Sequence, residues 1–291
     1  MPDTVYREFD AEQLEWQYSP RAHTPGHDAP IAEGLERSAA YRKIAGNAHY
    51  DIAFGAAPGE TLDLFLPDGP QAAPVELYIH GGFWRSRDKQ DFSHLAAPIV
   101  DAGGISVIAN YDLCPAVTLD EIVRQMRACI AWLYGNIAGY GGDPSRIHVS
   151  GHSAGGHLAA MMAATDWSTF APGLPDDLLK SALPVSGVFD LEPIPGTSVQ
   201  NDVQLDAAAV TRNSPARLPV AAGQIVTVAV GADESDEFRR QSADYADSLR
   251  AQGIAADFFE MPGQNHFNIM TNSIQPGNRL GQTRLQLMGL A

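Results

Sequence analysis

The chain of 291 residues is poor in lysine, with only Lys43, Lys89 and Lys180, and its 19 basic side chains face 35 acidic ones. The resulting formal charge of −16 repels phosphate backbones and anionic lipid surfaces, which argues against nucleic acid and membranes as partners. Cysteine is scarce too. Cys114 and Cys129 stand fifteen residues apart without a C-x-x-C, so neither a disulfide framework nor a cysteine-rich zinc site is expected. Long apolar runs are missing: the stretch from Leu95 to Ala109 is broken by Asp101 and a glycine pair, and falls short of the ~20 residues a membrane helix needs. The opening MPDTVYREFD has no basic start followed by an apolar run, so no secretory signal is expected and a cytoplasmic location is inferred. Neither a repeat of 20 to 50 residues nor a low-complexity tract occurs.

What remains is 45% hydrophobic and 19% charged, with 27 glycines and 20 prolines, the composition of a turn-rich globular chain. Residues 1–45 are polar and rich in helix formers, interrupted by Pro20, Pro25 and Pro30, and read as a helical arm. AHYDIAF and TLDLFLP, around Pro58-Gly59, suit an antiparallel edge hairpin. VELYIH (75–80), ISVIANYD (105–112), RIHVSGH (146–152), SALPVSGVF (181–189) and IVTVAVG (225–231) are short apolar runs of the kind that form buried parallel strands. Helical spacing of Ile122, Met126, Cys129, Ile130 and Leu133, and of Phe238, Tyr245 and Leu249, places helices at 119–138 and 236–251. Alternating strands and helices predict an α/β fold with a mostly parallel central sheet, an antiparallel N-terminal edge and helices on both faces. Segment 190–218, rich in proline and without periodicity, is an excursion that shapes a pocket. Together these parts account for residues 1–291 as one domain.

Chemistry concentrates in RIHVSGHSAGGHLAAMMAAT. Gly151-His152-Ser153-Ala154-Gly155 is a G-x-S-x-G between a strand pattern and a helix pattern, the setting of a nucleophile elbow. Glycine neighbours let the helix pack closely while the Ser153 hydroxyl projects above the sheet. His80-Gly81-Gly82-Phe83-Trp84 follows VELYIH and has the form of a loop that offers backbone N–H groups to an oxyanion. Gly82, Phe83 and Ala154 are the expected donors. In a serine, acid, histidine order the base lies downstream of the acid. Only His157 and His266 follow Ser153; His157 falls one turn into the elbow helix, which leaves His266. The acid lies on the turn after IVTVAVG, as Asp233 or Glu234. A register of three residues after Gly231 selects Glu234, whereas aspartate is the commoner type, so both stay open. Asp236 and Glu237 are expected to be solvated or capping groups at a helix start.

H-G-G-F-W, Y-D-L-C-P at 111–115, G-H-S-A-G-G-H-L, S-G-V-F-D-L-E-P-I at 186–194, R-N-S-P at 212–215, D-E-F-R-R-Q-S at 236–242 and N-H-F at 265–267 together resemble the kynurenine formamidase (arylformamidase) branch of the α/β-hydrolase superfamily. G-H-S-A-G-G and H-G-G are shared with hormone-sensitive-lipase-like esterases. The resemblance implies hydrolysis of an N-formyl arylamine to the amine and formate within tryptophan degradation, without metal or cofactor. It matches Ser153 as nucleophile and His266 as base. Counted from the D-E-F-R-R-Q-S segment, the acid falls on Glu234, where the animal enzymes usually carry aspartate. A short-chain carboxylesterase or amidase of the same fold is the alternative, and a non-catalytic binding protein a third reading. A small acyl pocket and a roomy aromatic leaving-group side are expected. Trp84 is the expected substrate contact, with Phe83 and Tyr111 as further lining candidates. The partner is a small molecule, and self-association into a homo-oligomer is left open.

Overall fold

The computed structural model describes residues 4–291. Eight strands form one sheet: β1 (Ala48–Ala53), β2 (Thr61–Phe65), β3 (Ala73–Ile79), β4 (Ile105–Ala109), β5 (Gly142–His152), β6 (Leu179–Val185), β7 (Ile225–Gly231) and β8 (Ala255–Met261). Their order is β1-β2-β4-β3-β5-β6-β7-β8. β1 pairs antiparallel with β2 and β2 with β4, and all other pairings are parallel. The alternating edge hairpin and the continuous apolar inner strands thus occupy the places their patterns predict. β3 and β4 are buried at every residue, because helices cover both faces. Alternate residues feed two apolar clusters: Leu77, Ile79 and Val107 belong to one, Tyr78 and Ile108 to the other.

Helix Leu119–Asn136 starts where Thr118 accepts the Glu121 N–H, and it buries Ile122, Met126, Cys129, Ile130 and Leu133. Helix Asp236–Ala251 is capped by Ser235 and buries Phe238, Tyr245 and Leu249. Two expectations need correction. The apolar run 181–189 stops being strand at Val185, because Ser186 turns out of the sheet with φ 50°. Glu237 is neither solvated nor a cap; it is buried, accepting from the Tyr18 hydroxyl at 2.8 Å and pairing with Arg240 at 2.7 Å.

That buried carboxylate is part of the dock for the N-terminal arm, made of helices Ala11–Tyr18, Pro20–His23 and Asp28–Ile44. Gln241 donates to Tyr18 at 2.6 Å, and Ser235 donates to the Gln17 carbonyl at 2.7 Å. Glu15 accepts from both the N–H and the hydroxyl of Ser198, each at 2.7 Å, tying the arm to the 190–218 excursion. That excursion holds four short helical turns. Among the described residues no helix is long and apolar enough to cross a membrane.

A buried ion pair fastens the C-terminal helix Arg279–Met288 beneath the sheet. Arg284 makes a two-pronged contact with Glu76 of β3, at 2.8 and 2.6 Å, and also donates to the Leu95 carbonyl at 3.0 Å. Ser150 donates to the same carboxylate at 2.8 Å. Removing one member strands the other charge in the core, which costs about 3–5 kcal/mol. Urea unfolding of Arg284→Met is expected to register a loss of that size, and adding Glu76→Met is expected to recover part of it.

Candidate active site

β5 ends at His152 and the next helix, Ala154–Ala163, begins two residues later. The intervening Ser153 is held at φ 58°, ψ −121°, a conformation costly for a residue with a side chain. The turn closes only because its neighbours lack Cβ atoms. A Cβ on Gly155 would collide with the Ile79 carbonyl of β3, and one on Gly151 with the carbonyl of Gly155. The serine hydroxyl therefore stands at the carboxyl ends of the parallel strands.

His266 follows β8 on a Pro-Gly loop, and its Nε2 lies 2.9 Å from Ser153 Oγ. Its Nδ1 lies 2.6 Å from Glu234 Oε2. A carboxylate can only accept, so Nδ1 carries the ring proton and Nε2 offers its lone pair to the serine. Glu234 is buried, whereas the adjacent Asp233 points to solvent and only its backbone N–H is engaged, with the Gln264 carbonyl. The other Glu234 oxygen accepts from the Gly231 N–H at 2.9 Å and from Ser186 Oγ at 2.5 Å. Ser186 escaped the sequence reading, hidden in an apolar run that continues past it. The imidazole of His266 is flanked by His152 and Phe238, with ring centroids at 4.6 and 4.8 Å.

Opposite the serine lies the loop after β3. A Cβ on Gly81 would sit 3.0 Å from Ser153 Cβ, so glycine admits the loop to the site. His80 Nδ1 donates to the Gly81 carbonyl at 2.8 Å, and Tyr111 donates to the His80 carbonyl at 2.9 Å. The Gly82 carbonyl accepts from the Arg85 N–H and the Ser86 hydroxyl, at 3.1 and 3.0 Å. With these carbonyls held, the following N–H groups of Gly82 and Phe83 face the other way across their planar peptides. Among the described residues the N–H groups of Gly82, Phe83 and Ala154 have no acceptor.

Of the aromatic candidates, only Phe83 lines the cavity in front of Ser153. Trp84 is the correction: it is fully buried, and its indole N–H donates to His157 Nδ1 at 3.2 Å. Tyr111 is buried as well and stacks on His80, centroids 4.4 Å apart. His157 hands its remaining Nε2 proton to the Asn213 carbonyl at 2.7 Å, which links the elbow helix to the excursion and takes both ring nitrogens out of any proton transfer. The cavity encloses about 250 Å³. Ser153, His266, Phe83 and the arm residues Tyr18, Ile31 and Leu35 contribute to its wall. Among the described residues no group of three or more His, Cys, Asp or Glu side chains is placed to hold a metal ion.

Burial drives the pKa values of His80, His94, His148 and His157 down to about 4 from an ordinary 6.5. Between those values the unfolded chain binds protons that the folded one refuses, so stability is complete above pH 6.5 and is lost as the pH falls toward 4. Each such histidine contributes a slope of up to about 1.4 kcal/mol per pH unit. Urea midpoints are expected to fall steeply between pH 7 and pH 5, and His157→Gln is expected to flatten that slope.

The family model described as BD-FAE matches residues 62–194. The kynurenine formamidase of Danio rerio is 31% identical over 98% of this chain and 98% of its own. That of Salmo salar is 31% identical over 99% of this chain and 96% of its own. Among solved structures, one from Silicibacter sp. TM1040, provisionally described as a thioesterase, superposes with a TM-score of 0.81 at 28% identity, covering 92% of this chain and 97% of that one.

Proposed function

The chain belongs to the kynurenine formamidase family of α/β-hydrolases, and on that premise we propose that it cleaves N-formyl arylamines of the N-formylkynurenine type to the amine and formate. The hydrolytic chemistry is carried by the hydrogen-bonded line from Ser153 through His266 to Glu234, and the formamide by the near-complete match to the fish enzymes. Hydrolysis of that formamide is a step of tryptophan degradation, and we propose that the protein serves it in the cytoplasm.

A serine hydroxyl is a weak nucleophile near neutral pH, so His266 Nε2 takes its proton as Oγ adds to the formyl carbon. Glu234 keeps the Nδ1 tautomer and stabilises the imidazolium that forms. The negative charge on the carbonyl oxygen is met by the N–H groups of Gly82, Phe83 and Ala154, each worth about 3 kcal/mol of barrier. His266 then returns the proton to the aryl nitrogen, the C–N bond breaks, and a formyl ester remains on Ser153. Water, deprotonated by His266, adds to that ester; formate leaves and the serine regains its proton.

Ser153→Ala is expected to lower kcat by about 10⁴-fold or more with an unchanged urea midpoint, measured on N-formylkynurenine. Glu234→Ala is expected to cost at least about 100-fold, and Asp233→Ala less than about twofold; the reverse ranking would reassign the acid. The ratio of kcat/KM on N-formylkynurenine to that on p-nitrophenyl acetate and butyrate tests the substrate. A preference of several orders for the esters would make the protein a carboxylesterase instead.

A further inference from the structure

In a chain of formal charge −16, the cavity wall runs against the trend. Its charged side chains are three arginines, Arg21, Arg85 and Arg87, and two acids, Glu15 and Asp91. Three of the five are engaged elsewhere, and the other two face each other. Arg85 is in a tight pair with Asp202, Arg21 contacts His27 Nε2 at 3.1 Å, Glu15 holds Ser198, and Asp91 faces Arg87. Arg87 itself has only that contact, a loose one at 3.8 Å. No hydrogen-bond acceptor meets its guanidinium among the described residues, although the side chain is about three-quarters buried, with 27% exposure.

A guanidinium presents five N–H donors in a planar fork suited to a carboxylate. A carboxylate entering the cavity would give that fork the charge-assisted bonds that no protein acceptor supplies among the described residues. Its backbone gives an independent sign. Arg87 sits at φ 81°, a conformation rare for a residue with a side chain and enriched where a binding group must be aimed. Its loop is also the one that supplies Gly82 and Phe83. The Ser86 hydroxyl donates back to the Gly82 carbonyl, so the turn that aims the two N–H groups is the turn from which Arg87 emerges.

We propose that Arg87 is the specificity residue for a carboxylate on the substrate, binding it through the guanidinium fork while the reacting carbonyl lies against the Gly82 and Phe83 N–H groups. Resting on the formamide reading, the proposal also fixes which half of the substrate bears the charge. A formyl group carries only hydrogen, so the carboxylate belongs to the arylamine that leaves. The preferred substrate class is then an aryl formamide whose arylamine half bears a carboxylate.

The test uses matched pairs differing only in charge: N-formylkynurenine and its carboxamide, and 4-acetoxybenzoic acid and 4-acetoxybenzamide. The wild-type protein is expected to favour the acid of a pair by about tenfold or more in kcat/KM, mostly through KM, the range of a charge-assisted hydrogen bond. Arg87→Gln is expected to erase that preference by raising KM for the acid alone, and Arg87→Lys to restore part of it. Equal effects of Arg87→Gln on acid and amide, or no wild-type preference in either pair, would overturn the proposal. Charge discrimination confined to the esters would keep Arg87 in this role while removing the formamide reading. If neither pair is turned over, protection of Ser153 from phosphonate labelling by kynurenine against kynurenine carboxamide gives the same comparison, and equal protection overturns it.

Discussion

The contact on which the site depends is the approach of two backbones, where the Gly155 Cα lies against the Ile79 carbonyl with no room for a side chain. It brings the elbow helix onto the end of β3. With that distance closed, the strained Ser153 is supported from below and the loop after β3 arrives beside it, Gly81 against the serine Cβ. Nucleophile and amide donors are thus placed by one packing event between neighbouring parallel strands. The acid and the base come from β7 and β8 further along the same sheet edge, so the twist and spacing of the sheet set the remaining distances.

Around this contact, polar groups buried without charge act as fasteners. His80 and Tyr111 fix successive peptide planes of the donor loop. Trp84, His157 and Asn213 form a line of hydrogen bonds that joins that loop, the elbow helix and the excursion. Ser186 and the Gly231 N–H hold the far oxygen of Glu234. The longer glutamate side chain is therefore anchored at two atoms, which limits the freedom that its additional methylene would otherwise bring.

Much of this was legible because it is local. The strand runs, the helical faces and the elbow depend on residues within a few positions of one another, so periodicity and motif announce them. The two-way choice between Asp233 and Glu234 could not be read that way, since both lie on one turn and only the three-dimensional path of the β8 loop decides which one His266 meets. Glu237 misled for a related reason: its partner, Tyr18, stands 219 positions away. Trp84 illustrates the opposite trap, an aromatic next to a functional loop whose indole serves the interior. Ser186 stood at the head of the 186–194 motif, but its bond to the acid could not be read there, because one hydroxyl in an apolar run looks like a tolerated core serine.

The docking of the arm has a consequence for the order in which the molecule is built. Gln17 and Tyr18 emerge early in synthesis, yet the groups that receive them, Ser235, Glu237 and Gln241, lie more than two hundred positions later. Contacts of such sequence separation form late and slowly, since the intervening chain must first be ordered. For most of its time on the ribosome the first helix has nowhere to bind, and the cavity has no roof. The wall of the pocket is thus completed by the earliest-made part of the chain closing over the latest, so a polypeptide halted before β7 would lack the acid and keep only the Ser198 contact for its own arm.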